Sequence, residues 1–286
     1  MSYRLVNQIS GIQGVVSGST GGVATVDVPP NCRLHDLRWF CTNGGVPVDI
    51  STLIRYQRIS VNGVVMRDLT PQHIKAIAAA NGEALDVGEV VNYFTEPWRR
   101  GLLGDEATSW DIAGQAKMTV EFGLLSGVSN PGIIGSRTFD YRRNERAGAN
   151  GQKELFLAPI KQSQFSYTLS GGQNDIINLP IQNPIHRLYM FPGTPGSLQH
   201  IEIYVDSTKI LEGDLLSSYG PNDLLSMYRD YGVVTDPTGA FVPIFFDFSN
   251  KISDVLTVGR EMVVRVWSSV TQNMGILIET RPNAYV

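Results

Sequence analysis

The sequence predicts an all-β chain built as two tandem eight-stranded antiparallel jelly rolls (a double jelly roll), each with one short helix. Three observations predict it. Short runs of alternating apolar and polar residues, rich in β-branched and aromatic side chains, recur throughout the chain. The chain states a series of phrases twice in the same order. The two segments that read as helices stand at matching places in the two statements.

The repetition is read directly. NCRLHDLRWF (31–40) returns as QNPIHRLYMF (182–191), so that His35, Leu37 and Phe40 recur as His186, Leu188 and Phe191, and Pro29 as Pro180. ISVNGVVMRDL (59–69) returns as IYVDSTKILEGDL (203–215), matching Ile59 to Ile203, Val61 to Val205 and Asp68-Leu69 to Asp214-Leu215. PQHIKAIAAANG (71–82) pairs with PNDLLSMYRDYG (221–232), KMTVEF (117–122) with EMVVRV (261–266), and PGII (131–134) with MGIL (274–277). This period greatly exceeds the roughly 20 to 50 residues of solenoid and propeller repeats, so each copy is expected to be a whole domain. With 286 residues, each copy has the length to bury its own core. The expected domains are 1–147 and 148–286, with the boundary near Gly148 inside FDYRRNERAGANGQKE (139–154), a stretch of linker composition.

In chain order, strands are expected at ATVDV (24–28), RLHDLRWF (33–40) and LIRYQRISV (53–61). The pair Asn62-Gly63 then supplies the type I′ hairpin turn, which needs positive φ at both central residues, and VVM begins the return strand. Pro71 to Ala80 reads as a helix, opened by proline where a missing N–H costs nothing and followed by Gly82 where the chain must leave. VVNYF (90–94) and MTVEF (118–122) complete the strands of the first copy, and Arg99 to Gln115, its longest insertion, is the expected surface loop. The second copy offers FSYTL (165–169), HIEIYV (200–205), a helix from Pro221 to Tyr231, FVPIFF (241–246), MVVRVW (262–267) and GILIE (275–279). Antiparallel strands in this number, joined by Gly- and Pro-rich turns, point to a sandwich of jelly-roll type.

Composition bounds the function. The net charge of -4 divides into 14 basic against 14 acidic residues before position 150 and 9 against 13 after it, so neither half is a basic nucleic-acid domain. The opening MSYRLVNQISGIQGVVSGSTGG lacks the layout of a signal peptide, and the longest charge-free apolar stretch, FGLLSGVSNPGIIGS (122–136), is broken by Pro and Gly, so a soluble, non-exported chain is expected. Cys32 and Cys41, the two cysteines, would sit along one extended segment, too far apart to bridge, and are expected reduced and buried.

Candidate chemistry is sparse. His35 and His186 hold equivalent positions in different domains, which argues for a shared structural role. Metalloprotease, zinc, nucleophile-elbow and phosphate-loop motifs do not occur. Asp105-Glu106 and Asp111 around Trp110, and Asp206, Glu212 and Asp214 after a strand, are acidic clusters able to attempt acid/base work on a sugar or to hold a structural Ca²⁺. Solvated loop charges are the plainer reading. Arg137, Arg142, Arg143 and Arg146 with Tyr141 could touch phosphates of a single strand, but Asp140, Glu145 and Glu154 dilute them and favour interdomain salt bridges. Trp98, Arg99 and Arg100 read the same way, as a loop that meets a ligand or a neighbouring subunit.

SYRLVNQISGIQGV (2–15), PPNCRLHDLRW (29–39) and the hairpin ISVNGVVM leading into PQHIKAIAAANG carry a family resemblance. The chain resembles the double-jelly-roll major capsid proteins of tailless icosahedral, membrane-containing bacteriophages, the corticovirus and tectivirus types of the adenovirus-type capsid lineage. The resemblance implies a viral structural protein without catalytic, cofactor-binding or metal-binding residues. It implies a homotrimer forming a pseudo-hexameric capsomer that contacts neighbouring capsomers, a penton protein and an internal viral membrane, with no sequence-specific nucleic acid. It also implies residence in the virion after assembly in the host cytoplasm. The alternatives are a glycan-cleaving, amidase-like double-jelly-roll enzyme and a carbohydrate-binding protein, since jelly rolls also serve lectins.

Overall fold

The computed structural model describes residues 4–13, 21–80, 83, 85–95, 109–115, 117–143, 145–147, 153–155, 160–194, 196–214, 244–247 and 256–281. The chain forms two compact units, Met1–Lys161 and Gln162–Val286. In the first, the elements run β1 (Leu5–Gln13), β2 (Val23–Val28), β3 (Arg33–Asn43), α1 (Ile50–Leu53), β4 (Ile54–Val61), β5 (Val64–Leu69), α2 (Pro71–Ala80), β6 (Glu89–Tyr93), β7 (Met118–Leu124) and β8 (Pro131–Asp140). In the second they run β9 (Lys161–Leu169), β10 (Gly172–Ile176), β11 (Ile185–Pro192), β12 (Leu198–Val205), β13 (Thr208–Asp214), β14 (Ile244–Asp247), β15 (Met262–Ser268) and β16 (Gln272–Thr280).

One sheet of the first unit has the order β1-β8-β3-β6 and the other β2-β7-β4-β5. The second unit repeats this as β9-β16-β11-β14 and β10-β15-β12-β13. Each strand of one unit therefore has its counterpart eight strands later, and each unit is an eight-stranded jelly roll. The first adds the short helix α1 and two pieces that pair with the ends of β3 on either side of β6, Val46–Pro47 and Trp110–Asp111. The second helix expected at 221–231 lies outside the described residues.

Strand register tests the duplication residue by residue. Val61 pairs with Met118 and with Val64, and Val205 pairs with Met262 and with Thr208, so β4, β5 and β7 map onto β12, β13 and β15 at one offset, that of Val61 to Val205. Both β4–β5 and β12–β13 shift register at the same point, between Ile59 and Ser60 and between Ile203 and Tyr204. In the other sheet Leu37 faces Arg137 as Leu188 faces Ile278. Two sequence pairings need correction. Arg58 faces Asp68 as Glu202 faces Glu212, so Asp68 corresponds to Glu212 and not to Asp214. Cys41 faces Ile133 as Pro192 faces Met274, so the PGII and MGIL segments are out of step by two residues.

The stretch 139–154 is not a free linker. Phe139 and Asp140 finish β8, and Glu145–Ala147 pairs with Lys153–Leu155, an antiparallel ladder that spans the boundary expected at 147/148 and falls within the first unit. β8 itself escaped the sequence reading because Gly132 and Gly135 interrupt its pattern. Packing explains them: a Cβ on Gly135 would lie 2.4 Å from the Trp39 ring, and one on Gly132 would lie 2.5 Å from Thr42 Oγ1. Gly123 on β7 is covered by Tyr56 in the same way. Glycine inside a strand here is the space beneath a cross-strand side chain.

Each roll buries its own core. In the first, the rings of Trp39 (β3) and Phe122 (β7) meet edge to face across the two sheets at 5.1 Å. Beside them Gln57 of β4 and Asn92 of β6 exchange two hydrogen bonds of 2.9 and 2.8 Å, and Trp39 Nε1 donates to the same Asn92 oxygen. All three are buried, so the amides are satisfied where leaving them unpaired would be costly. In the second roll Leu188, Met190, Ile276 and Ile278 of one sheet pack with Ile201, Ile203, Val264 and Val266 of the other. Cys32 and Cys41 are both free and buried, and burial pushes their thiols up to about 11 and about 12.

Candidate functional site

The repeated histidines occupy one structural position. Between Asp36↔Thr138 and Leu34↔Phe139, strand β3 has one residue more than β8, and that residue is His35. Between Arg187↔Glu279 and Ile185↔Thr280, β11 has one more than β16, and that residue is His186. A bulge bends its strand and re-aims a side chain. Both imidazoles are buried. His35 Nε2 lies 2.8 Å from Asp140 Oδ2, while Arg33 grips the same carboxylate through Nε at 3.0 Å and Nη2 at 2.6 Å, and the Arg142 N–H donates to it at 2.9 Å. Burial lowers the pKa of His35 below its usual value. Burial alone would raise Asp140, but its bonds from Arg33, His35 and Arg142 outweigh that and hold it below the usual carboxylate range. The group is a buried histidine, its pKa lowered by burial, beside a buried ion pair, a clasp between the ends of β3 and β8.

The other sequence candidates are drawn apart. Trp110 and Asp111 are core residues on the edge of β3, not part of a surface loop: Trp110 packs on Phe94, Arg67 lies over both rings, and Asp111 takes Arg143 Nε at 2.9 Å. The buried run Ser109–Ile112 thus corrects the expectation for the end of the 99–115 insertion. Asp105, Glu106, Trp98, Arg99 and Arg100 lie outside the described residues. Of the basic run, Arg137 is buried against Phe139 and donates to the Pro29 carbonyl, Arg143 is paired with Asp111, and Tyr141, Arg142 and Arg143 are exposed. Arg137 and Arg143 thus bind within their own domain. The position of Arg146 is that of a strand residue in the 145–147 ladder.

The second acidic cluster separates too. Asp206 begins the β12–β13 turn and accepts the N–H groups of Gly259, Arg260 and Glu261, at 2.9, 2.6 and 3.1 Å. These bonds hold its carboxyl below the usual range. Glu212 instead joins a band of charge across the outer face of the β10-β15-β12-β13 sheet. Asp175 pairs with Arg265, Arg265 reaches Glu202, and Glu202 and Glu212 share Lys209. The first roll has a counterpart on its equivalent strands, Glu121, Arg58 and Asp68. At equivalent positions the sign is inverted: Glu121 stands where Arg265 stands, and Arg58 where Glu202 stands. This band was legible only as isolated charges, because register decides which of them are neighbours.

Of the carboxylates that sequence singled out, Asp111, Asp206 and Glu212 serve as anchors for arginine, backbone amides and lysine respectively. No helix among the described residues is long and apolar enough to cross a membrane.

Comparison with known proteins places this architecture. Residues 6–137 match the family model of the viral coat protein P2 N-terminal domain. None of the curated protein sequences matches. Among solved structures, the major capsid protein P2 from bacteriophage PM2 superposes with a TM-score of 0.74 at 15% identity, covering 99% of each chain. The STIV major capsid protein gives 0.69 at 11% identity, covering 99% of this chain and 98% of that one. The Faustovirus major capsid protein gives 0.56 at 5%, covering 99% and 90%. At such identities the likeness is one of fold, and it runs through both rolls.

Proposed function

From the match of residues 6–137 to the model of the viral coat protein P2 N-terminal domain, we propose that the whole chain is the major capsid protein of an icosahedral bacteriophage shell and that three copies close into one capsomer. The observation that carries this is the duplication itself. Two rolls with the same strand order, the same bulge and the same register, but different surfaces, give a trimer six similar wedges in alternation, a close mimic of a sixfold block. Such a ring closes on itself and leaves no open heterologous surface inside the capsomer. Neighbouring capsomers, a penton protein and an internal membrane are the partners of the assembled shell, and assembly in the host cytoplasm precedes residence in the virion.

The proposal includes the absence of catalysis. Its support is that Asp111, Asp140, Asp206 and Glu202 each already hold a structural partner. A hydrolase activity on glycopeptides, or specific glycan binding, abolished by changing one of these acids, would favour the amidase or lectin alternatives instead.

Sedimentation across a salt series tests the assembly. Each trimer contact is expected to bury more than about 2,000 Å², the obligate class, and to survive salt, while contacts between capsomers rest on polar loops and weaken as ions screen them. The expected result is a particle of three 31.4-kDa chains that persists as larger species dissociate. A monomer at micromolar concentration and moderate salt overturns the proposal.

A further inference from the structure

Glu202 on β12 and Glu212 on β13 face each other directly in the ladder, an arrangement of like charges that destabilises a sheet unless a cation lies between them. The two rolls solve this problem differently. In the first, the equivalent pair is Arg58 and Asp68, so the cation is built into the strand and binds its partner through Nη2 at 2.8 Å. In the second, the cation comes from the side: Lys209 Nζ sits 2.6 Å from Glu202 Oε1 and 2.9 Å from Glu212 Oε2. A lysine on a flexible stem can swing away.

A third donor completes the place it would vacate. His200, two residues before Glu202 and on the same face of β12, points Nε2 at Oε1 of both carboxylates, 3.8 Å from Glu202 and 3.9 Å from Glu212. Donors sharing one first-row divalent ion at about 2.1 Å stand roughly 3 to 4 Å from one another; the imidazole already stands so from both carboxylates, and all three donor atoms lie within 4.8 Å of one another. Glu202 is nine-tenths buried and keeps its other oxygen on the Tyr204 hydroxyl and near Arg265, which fixes the carboxylate while Oε1 changes partner. Asp214 stands opposite His200 in the ladder, at the next step of the same strand pair.

We propose that His200, Glu202 and Glu212 form an exchangeable site for a divalent transition ion such as Zn²⁺, in which the metal displaces the Lys209 ammonium. The imidazole donor selects Zn²⁺ over Ca²⁺, which prefers an all-oxygen shell of six or more ligands. The first roll has Tyr56, Arg58 and Asp68 at these positions, so it does not repeat the site. A bound ion would fasten the β12–β13 hairpin.

The test is a Zn²⁺ titration of the intact, chelator-stripped chain at pH 7.5, followed by calorimetry and tryptophan fluorescence. Trp267 is the internal reporter, its ring edge-to-face with His200 at 4.7 Å. One saturable Zn²⁺ per chain is expected, with Ca²⁺ weaker. His200→Tyr, which installs the residue of the first roll, should weaken binding by at least about tenfold, as loss of a metal-site group does. Lys209→Met should tighten it, because the resident competitor is gone. Trp267→Phe should abolish the fluorescence response and leave the stoichiometry at one. Circular dichroism before each titration confirms that the variants are folded. Absence of saturable binding, Ca²⁺ binding tighter than Zn²⁺, or an isotherm insensitive to either the His200 or the Lys209 substitution overturns the proposal; a zinc site elsewhere on the chain would ignore Lys209.

Discussion

Asp140 shows how far burial changes the worth of a charge. Its carboxylate holds Arg33 and His35 out of reach of water, whereas Asp27 and Lys117 form an ion pair at 3.1 Å with both side chains more than half exposed. Removing a partner from the buried group strands an uncompensated charge and should cost about 3–5 kcal/mol. Breaking the exposed pair should cost at most about 1 kcal/mol. Urea denaturation of Asp140→Ala and Asp27→Ala at pH 7 measures the contrast, and comparable losses would contradict it. None of this was visible in sequence, where Asp140 looked like one more charge in a polar stretch. The repeat of His35 at His186 was visible, and a structural role was a sound inference from it. That the role is to fill a bulge was not, because a bulge is a relation between two strands far apart in the chain.

At the scale of the element, the hairpin β4–β5 and its counterpart β12–β13 make the same turn from different residues. Asn62 and Gly63 take φ of 49° and 80°, and Asp206 and Ser207 take 48° and 66°. Serine in the left-handed region carries strain of about 1–2 kcal/mol that glycine does not. The second turn survives on its anchors: the three N–H bonds to Asp206 and the Ser207 hydroxyl bond to Glu261. Ser207→Gly should therefore raise stability by up to about 1 kcal/mol, less the lost hydroxyl bond to Glu261 and whatever the freer unfolded glycine takes back, and Gly63→Ser should lower it by about 1 kcal/mol. Added side-chain atoms meet nothing at Gly63, so backbone strain alone is being measured there. Thermal unfolding of the two variants decides it, and shifts of the same sign would refute it. Asn-Gly announced the first turn in sequence; Asp-Ser did not announce the second, which could be found only by its place in the repeat. The helix α2 was legible at both ends, yet its opening holds a surprise. The Thr70 hydroxyl accepts the His73 N–H, and His73 Nδ1 accepts the Thr70 N–H, both at 3.3 Å, a capping box with histidine where glutamate is usual.

At the scale of the whole molecule, that histidine contributes to the response to acid. His73 is buried, and burial lowers its pKa from 6.5 to about 4; His35 is lowered as well. Folded-state values below the unfolded ones mean that the unfolded chain takes up protons first. The stability they contribute is full above pH 6.5 and is lost as the pH falls from 6.5 toward 4, by roughly 3 kcal/mol for His73 alone. Asp140 acts in the same direction but only at lower pH, near and below the carboxylate range. The urea midpoint should drop steadily between pH 6.5 and 4.5 and the drop should shrink in His73→Gln; a flat profile would contradict the assignment. The correspondence of the two rolls has a last consequence. Positions keep a constant spacing along β4, β5 and β7, from Val61 to Val205 and from Met118 to Met262, but the spacing differs from Leu37 to Leu188, from Asn92 to Phe246 and from Ile133 to Met274. Every change in chain length since the duplication therefore falls in a connection and none within these ladders. Chain length has thus varied between the ladders and not inside them, and an insertion within a paired strand is expected to cost far more stability than one placed between strands.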